Sequence, residues 1–584
     1  MAVIRQSYST HDDQHRHISA HDQRRTSDLS HHFSELAKGR APSPLKSILR
    51  MTPKVPGIIS MAGGAPHPDY FPFDSLSAEA LVQDAYSVNS TASPSHSQPQ
   101  SSGIITWLWD SFFTSSAVPT KTMTIPKYDV DRSNIQLSEY LQYDIAVGKA
   151  ELIEFIRNFT RSVFKPARAD AVNMLHGGNT VAFAHCIETF CNSGEFLLVE
   201  EWAYTSALHA VRPYGVKPLG VPLDSQGMRS DALEDILSNW DAKARVMYTV
   251  PVGQNPTGTT MGIDRRREIY DICVKYDIVI IEDDPYYFLQ VGEYIDRKLR
   301  VTTQAPGDDK VFLDGLVPSY IRLDYQGRVV RLDTFSKTIA PGCRLGWYTT
   351  SPLFLERLER VSEISTQAPS GFSQALVGQL LTKQWKYDGF VRWLKGLRAQ
   401  YTIRRDQMVD TLHDFFDLEE EHESDRRVFI ARSKRYGSKN EDKKGKVLLS
   451  FVSPNAGMFI WFKVHLYNHP LYASTPPPTT PADSLEYKLW TDLAFGGILM
   501  APGWVFGTDA DAMLESETVV SRDMLTGIAE AAHGPHPGGK HYTTLSENGR
   551  FGHLRISYSD TTPEKIEKGL TRFVNILDKH FYGV

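Results

Sequence analysis

The sequence predicts an α/β fold in which a mostly parallel β-sheet is covered by helices on both faces. Short runs of β-branched and aliphatic residues alternate with stretches of helical periodicity, and each run is continuously apolar. Strands that are buried on both faces have this pattern, which is typical of parallel sheets. The predicted strands are 196–200, 245–250, 277–282 and 329–333.

A chain of 584 residues exceeds what one hydrophobic core usually organises, so we predict two domains, a large one around the parallel sheet and a smaller α+β one. Three segments interrupt this body. They are a Ser- and Pro-rich insertion at 87–122, a charge run at 419–446 that is most simply a solvated loop, and an insertion at 515–546 without clear periodicity. The predicted boundaries are 1–41 for a disordered polar tail, 42–130 for an N-terminal arm with part of the small domain, 131–385 for the large domain and 386–584 for the small C-terminal domain.

Composition excludes several functional classes. A net charge of −6 indicates no nucleic-acid surface, and no run of eighteen apolar residues predicts a membrane span. Four cysteines without a CxxC pair favour a reducing compartment over a disulfide framework or structural zinc. Because the polar N-terminus also lacks the apolar core of a secretory signal, we expect a cytoplasmic protein.

Two features leave alternatives open. The histidines of the tail, His11, His15, His17 and His21, are compatible with metal binding, although a solvated tail is the simpler interpretation, and we predict no metal site. An apolar patch at 104–113 would contact a membrane or a partner, or fold back on its own surface.

The strongest local motif spans residues 333–347, where a lysine follows a predicted strand. A cofactor aldehyde needs an amine to form a Schiff base, and a cofactor phosphate needs hydrogen-bond donors and a fixed positive charge. Lys337 would supply the amine, and Thr334, Ser336 and Arg344 would bind the phosphate. Taken alone, the motif is also compatible with an exposed lysine between a strand and a loop.

A second motif, at 277–287, is a buried strand that ends in paired carboxylates. A buried charge needs a partner, and a protonated pyridine nitrogen is such a partner for Asp283. Tyr286 would hydrogen-bond the phenolic oxygen of the same ring. The alternative interpretation is a carboxylate that caps the next helix, which applies more readily to Asp284 than to Asp283.

Two weaker motifs also follow predicted strands. At 250–258, Asn255 would donate to the same phenolic oxygen as Tyr286, although an Asn-Pro-Thr-Gly turn is common by itself. At 175–180, Gly178 and Asn179 open a helix that is predicted to run to about Phe190. Amides at a helix N-terminus bind phosphate, although a plain Gly-rich helix start is the better interpretation of this segment when it is taken alone.

The four motifs above and four further segments together resemble those of the fold type I pyridoxal-phosphate (PLP) aminotransferases. Among these enzymes, the chain is most similar to the fungal aromatic and the kynurenine/α-aminoadipate aminotransferases. The resemblance runs from about residue 42 to 559 in the family's order. The residues that it assigns are Gly63 and Gly64 (in 59–73) beside the substrate, Tyr143 (in 141–148) at the phosphate of the neighbouring subunit, Tyr204 (in 201–204) stacked on the cofactor, and Arg555 (in 552–558) on the substrate carboxylate.

The resemblance implies a homodimeric enzyme with PLP on Lys337. It would move the amino group of an aromatic L-amino acid (Phe, Tyr or Trp) to a 2-oxo acid such as 2-oxoglutarate by ping-pong chemistry. Other donors, namely kynurenine, 2-aminoadipate or a secondary-metabolite precursor, stay open, as does a different PLP reaction on the same fold. A PLP-binding transcription regulator would need a winged-helix module, for which the N-terminus is too short and polar.

The chain departs from the family pattern at three positions. Asp144 replaces the usual glycine after the tyrosine, and Lys46 replaces an arginine of the α-aminoadipate branch, which weakens the case for long acidic substrates. Thr334 replaces serine and keeps the hydroxyl. An inactive scaffold is disfavoured because Lys337, Asp283, Arg344 and Arg555 are all present.

Overall fold

The computed structural model describes most of the chain between residues 27 and 583. The described ranges are 27–43, 64–86, 119–239, 244–300, 308–423, 426–436, 445–475, 478, 483–508 and 549–583. The tail histidines, Lys46, Gly63, the patch at 104–113 and the insertion at 515–546 lie outside them.

The first two strands form a separate antiparallel pair, and a seven-stranded sheet follows. The strands of this part of the chain are β1 (Ser75–Leu81), β2 (Thr120–Pro126), β3 (Val172–His176), β4 (Phe196–Glu200), β5 (Lys217–Val221), the two-residue strands β6 (Leu223–Asp224) and β7 (Gly227–Met228), β8 (Ala244–Thr249), β9 (Val279–Asp283), β10 (Val329–Thr334) and β11 (Gly346–Thr350). The large sheet has the order β3-β11-β10-β9-β8-β4-β5, and β11 is antiparallel to both of its neighbours. The other pairings are parallel, so the predicted mostly parallel sheet is confirmed.

Alternate residues of each central strand enter two different cores. In β9, Ile280 packs into one core, whereas Val279 and Ile281 pack into the other. In β4, Leu198 and Leu197 divide in the same way. The sheet is therefore buried on both faces, as its continuous apolar strands predict.

Helices cover this sheet and connect it to the second domain. The α-helices are α1 (Glu35–Gly39), α2 (Leu137–Tyr140), α3 (Ala150–Val163), α4 (Asn179–Phe190), α5 (Thr205–Val211), α6 (Ser230–Asn239), α7 (Ile263–Lys275), α8 (Asp309–Asp314), α9 (Pro352–Ile364), α10 (Gly371–Gly378), α11 (Lys386–Phe415), α12 (Leu485–Phe495) and α13 (Pro563–Tyr582). A π-helical segment, Gln379–Trp385, joins α10 to α11. Within the described part of the chain, no helix is both long and apolar enough to cross a membrane.

A six-stranded antiparallel sheet forms the smaller unit. Its strands are β12 (Phe416–Glu423), β13 (Arg426–Ser433), β14 (Val447–Val452), β15 (Phe459–Val464), β16 (Ala501–Pro502) and β17 (Gly552–Ser557), in the order β12-β13-β14-β15-β17-β16. Its core includes Phe462 and Leu554 of the sheet and Phe573 of α13. This unit fits the predicted smaller α+β domain.

Two sequence predictions are wrong in part. The charge run at 419–446 is not a loop throughout, because β12 and β13 pair as a hairpin with Glu423 opposite Arg426. The polar tail predicted for 1–41 is ordered at its end, where Leu29 and Phe33 are buried in the core of the large sheet. In both segments tertiary packing overrides a polar composition.

Candidate active site

The site lies where three neighbouring parallel strands, β8, β9 and β10, end. Asp283 is the last residue of β9 and pairs with Leu332 of β10, two residues before Thr334 ends that strand. A single 3-10 turn, Phe335–Lys337, follows at once and carries the lysine. Because the carboxyl ends of parallel strands share one edge, the predicted motifs meet there.

Asp283 is a buried carboxylate that two side chains orient. Asn179 Nδ2 donates to its Oδ1 at 2.6 Å, and Tyr248 Oη donates to its Oδ2 at 2.8 Å. Burial raises the pKa of Asp283, although these two hydrogen bonds favour the ionised form. A cation placed against this carboxylate would offset the cost of burial.

Lys337 is half-buried beside two arginines. Burial lowers the pKa of its amine, and the positive charges of Arg344 and Arg555 lower it further. Within the described part of the chain, Lys337 forms no ion pair with a carboxylate. The amine is therefore biased toward its neutral, nucleophilic form.

An anion-binding cluster surrounds the start of α4. Arg344 Nη1 lies 3.5 Å from Ser336 Oγ, and Arg344 Nη2 donates to the Gly177 carbonyl at 3.3 Å. Thr334 Oγ1 donates to Ser336 Oγ at 2.9 Å. Gly178 caps the helix at φ +99°, and a Cβ at that position would lie 2.4 Å from Arg344 Nη2. One guanidinium, two hydroxyls and a helix N-terminus thus share a small space, which suits a phosphate.

Arg555, on β17 of the smaller unit, completes the site from the other side. Its Nη1 donates to Asn255 Oδ1 at 2.5 Å, and its guanidinium lies 4.1 Å from the ring of Phe459 and 4.8 Å from that of Phe506. Burial lowers the pKa of Arg555, and its buried Nε has no partner among the described residues. A half-buried guanidinium without a carboxylate is suited to an anionic ligand.

Another arginine near these strand ends, Arg331 of β10, is fully buried and is surrounded by carboxylate partners. Arg331 bonds Asp333 through Nε and Nη2 at 2.9 and 2.7 Å, and its Nη1 lies 3.1 Å from both Asp284 and Glu282. The alternative interpretation of Asp284 as a helix cap is therefore wrong. Asp284 is half of a buried ion pair whose other half is 47 positions further along the chain.

Comparisons with known proteins agree with this geometry. The family model for aminotransferase class I and II matches residues 122–430. An aromatic amino acid aminotransferase of Schizosaccharomyces pombe is 35% identical over 444 residues, which are 75% of this chain and 82% of that protein. The chain belongs to the aminotransferase class I and II family.

Two further relatives cover nearly the whole aminotransferase. An L-tyrosine:2-oxoglutarate aminotransferase of Tapinella panuoides is 30% identical over 567 residues, covering 95% of this chain and 96% of that protein. The crystal structure of the aminotransferase Aro8 from Candida albicans superposes with a TM-score of 0.75 at 32% identity, covering 96% of this chain and all of that one. The fold of the aminotransferase is therefore that of fold type I enzymes.

The structure brings most of the predicted residues of the aminotransferase together. Beyond those above, Tyr286 is buried, and the charge of Asp283 adds to burial in raising its pKa. Tyr204 lies close enough to influence both Tyr286 and Arg555 electrostatically. Asn255 contacts Arg555 and precedes a cis proline.

Two predicted residues of the aminotransferase lie apart from this cluster. The side chain of Tyr143 is 65% exposed on the surface of the single chain. Gly64 is exposed, and a Cβ there would meet no atom within 4 Å. Gly63 lies outside the described residues.

Sequence reasoning missed three residues of the aminotransferase site. Tyr248 holds Asp283, Phe506 covers Arg555, and His176 Nδ1 accepts the amide of Gly178 at 3.1 Å. Burial lowers the pKa of His176 to about 3, so its ring is neutral and able to accept. Tyr248 lies inside the predicted strand 245–250 and His176 inside the segment 175–180, so both were within recognised motifs, whereas no local motif marks Phe506.

Proposed function

We propose that this aminotransferase uses PLP to move the amino group of an aromatic L-amino acid to a 2-oxo acid such as 2-oxoglutarate. The observation that carries the proposal is the convergence of two separate motifs on one strand-end edge, Lys337 and Arg344 from the first and Asp283 from the second. The substrate class is supported by the relatives, which are named aromatic amino acid and L-tyrosine:2-oxoglutarate aminotransferases.

The residues present fit PLP. A pyridinium nitrogen would supply the cation that the buried Asp283 carboxylate needs, and the space beside Arg344 that a Cβ on Gly178 would fill suits a phosphate. The half-buried amine of Lys337 would hold the aldehyde carbon covalently. The full proposed cofactor set is Lys337, Gly178, Asn179, Tyr204, Asn255, Asp283, Tyr286, Thr334, Ser336 and Arg344, with Tyr143 contributed to the phosphate of the second subunit.

When bound, PLP supplies an electron sink for the bond that breaks at the substrate Cα. Arg555 binds the substrate carboxylate through its free donors and fixes the orientation of Cα, with Gly63 and Gly64 bordering the substrate. The Lys337 amine, biased toward its neutral form by burial and by its two arginine neighbours, would take the proton from the substrate Cα as general base and, once protonated, would act as general acid. Phe459 and Phe506 shield Arg555 from water, which strengthens its electrostatic attraction for a carboxylate.

We further infer that the enzyme is a cytoplasmic homodimer. Tyr143 is exposed on the surface of the single chain, where a second subunit would reach it, which supports a role in the neighbouring site. Four free cysteines, three of them buried, support a reducing compartment.

A half-reaction screen tests the proposal. The PLP-loaded protein is mixed with single amino acids without an acceptor, and formation of pyridoxamine phosphate is followed by absorbance and chromatography. We expect Phe, Tyr and Trp to react at least about tenfold faster than Asp or Val, since apolar contacts of this size contribute about 1–3 kcal/mol. Fastest reaction with an acidic or branched donor would contradict the aromatic assignment. Elimination or decarboxylation products without pyridoxamine phosphate would contradict transamination.

A further inference from the structure

The N-terminal segment at 27–43 packs on the large sheet domain. In sequence, it is distant from the motifs of the proposed active site. Leu29 and Phe33 are buried in the core on one face of the sheet, and Ser34 N–H donates to the Thr189 carbonyl at 2.8 Å. Between these anchors, His31 and His32 reach the loop after α7. Two adjacent histidines thus meet a single residue of the domain, Asp277.

The three side chains form a compact set of nitrogen and oxygen ligands. His31 Nε2 lies 2.5 Å from Asp277 Oδ2, and His32 Nε2 lies 3.0 Å from Asp277 Oδ1. The three ligand atoms all lie within 4.8 Å of one another. Two zinc ligands at about 2.0–2.1 Å in a tetrahedral site are about 3.4 Å apart, so an ion would fit after shifts of about 1 Å or less.

The surroundings of Asp277 favour a cation. Asp277 follows the C-terminal end of α7 and has the left-handed φ of +56°, so its carboxylate lies near the negative end of the helix dipole. Arg328 Nη1 comes no closer than 3.5 Å and donates instead to the Ile278 carbonyl at 2.8 Å. The carboxylate therefore has room for a second positive partner.

The two histidines differ in how far they are buried. His32 is fully buried, and its imidazole reaches Asp277 through Nε2. Imidazole nitrogens are common ligands of transition-metal ions. His31 is half-exposed, which leaves a path for an ion and for water.

We propose that His31, His32 and Asp277 bind one divalent transition-metal ion, of the Zn²⁺ type, with water in the fourth position. Two imidazoles and one carboxylate are a common ligand set for such ions. The bound ion fastens the N-terminal segment to the large domain. The site is separate from the proposed active site and does not depend on its reaction.

Zinc titration of the full-length PLP-loaded protein tests the proposal after treatment with a chelator. Calorimetry gives stoichiometry and affinity, and hydrogen exchange of the 27–43 peptide reports whether the segment is fastened. The test variants are H31A and D277N. Both residues are about half exposed, and asparagine tolerates a left-handed φ, so both variants should fold. The control is H11A/H15A/H17A/H21A, which removes the competing tail histidines.

We expect one Zn²⁺ per chain in the wild type and in the tail control, with slower exchange over 27–43. H31A and D277N should bind at least about tenfold more weakly and lose the protection, since each removes one of three ligands. Equal zinc binding by H31A and D277N, loss of binding in the tail control, or no stoichiometric binding by the wild type would each overturn the proposal. In the last case the two His–Asp contacts are plain hydrogen bonds.

Discussion

Two arginines near the strand ends, the fully buried Arg331 and the half-buried Arg555, differ in their partners. Arg331 is enclosed by Glu282, Asp284 and Asp333, all within 3.1 Å. Arg555 meets two aromatic rings and an asparagine, and within the described residues its guanidinium pairs with no carboxylate. The cost of burying Arg331 is offset inside the protein, whereas that of Arg555 is offset only when an anion binds.

The contrast extends to the neighbouring cations. Arg344 donates to Ser336, Pro341 and Gly177, which are all neutral, and Lys337 lies between the two unpaired arginines. The positive charges around Lys337 are therefore unmatched by carboxylates, whereas the charges around Arg331 are matched. We infer that matched charges hold the strand ends in place and that unmatched charges bind the ligands.

Replacing the lysine of the unmatched region should have the largest effect. K337A removes the amine that holds the cofactor and moves the Cα proton, so we expect kcat to fall at least about 10³-fold, or about 4 kcal/mol. Stability should change little, because burial already disfavours the charged amine. Turnover of phenylalanine with 2-oxoglutarate measures the loss. A rate within tenfold of wild type would contradict the role of Lys337.

Replacing the arginine of the matched region should instead destabilise the fold. R331M leaves the buried carboxylates of Asp284 and Asp333 without their ion-pair partner and Glu282 with Arg266 alone, which costs about 3–5 kcal/mol of unfolding free energy. Urea unfolding at pH 8 measures this cost. A loss below about 1 kcal/mol would show that the carboxylates find other partners.

The pH dependence of R331M sharpens this prediction. Burial raises the pKa of Asp284 to about 7 and that of Asp333 to about 6, above the unfolded value of about 3.9. Stability from such groups is present at low pH and is lost as pH rises through the folded pKa. Since R331M raises both values further, its deficit relative to wild type should grow from pH 5 to pH 8. A deficit independent of pH would contradict the charge assignment.

A smaller effect is expected where the two regions meet, at Tyr248. Y248F removes one hydrogen bond to Asp283, so PLP affinity should fall about fivefold, equivalent to about 1 kcal/mol. The matched control is Y270F, because Tyr270 Oη donates to a buried carboxylate, that of Asp324, at 2.9 Å. An absorbance titration with PLP compares them. Equal loss of PLP affinity in both variants would indicate a general packing effect.

The sequence predicts well those site residues that belong to short local motifs. Lys337, Ser336 and Arg344 lie within eight residues, and Asp283 ends a recognisable strand, so strand position alone brings them to one edge. It does not reveal the partners of these residues that lie in distant parts of the sequence. On the sequence alone a helix cap is an open alternative for Asp284, because its ion-pair partner Arg331 lies in another strand.

The two wrong predictions outside the site have the same origin. The charge run forms a hairpin because Arg427 and Arg432 lie 3.4 and 3.7 Å from Glu420 and Glu419, and β12 is an edge strand, where charged residues are favourable. The end of the tail packs through Leu29, Phe33 and Ala37, which are spaced four residues apart. The charge pairs of the hairpin and the apolar spacing of the tail are not visible in the average composition of these segments. They are visible in the positions of individual residues.

A paired measurement on R331M and R555M tests the central distinction most directly. Both variants replace a guanidinium with the same side chain, and each is assayed for unfolding free energy and for kcat/KM with phenylalanine. We predict that R331M loses about 3–5 kcal/mol of stability. R555M should keep its stability within about 1 kcal/mol and lose about 10–100-fold in kcat/KM, since a charge-assisted hydrogen bond contributes about 1.5–3 kcal/mol. The account is contradicted if R555M is the less stable variant and retains wild-type kcat/KM.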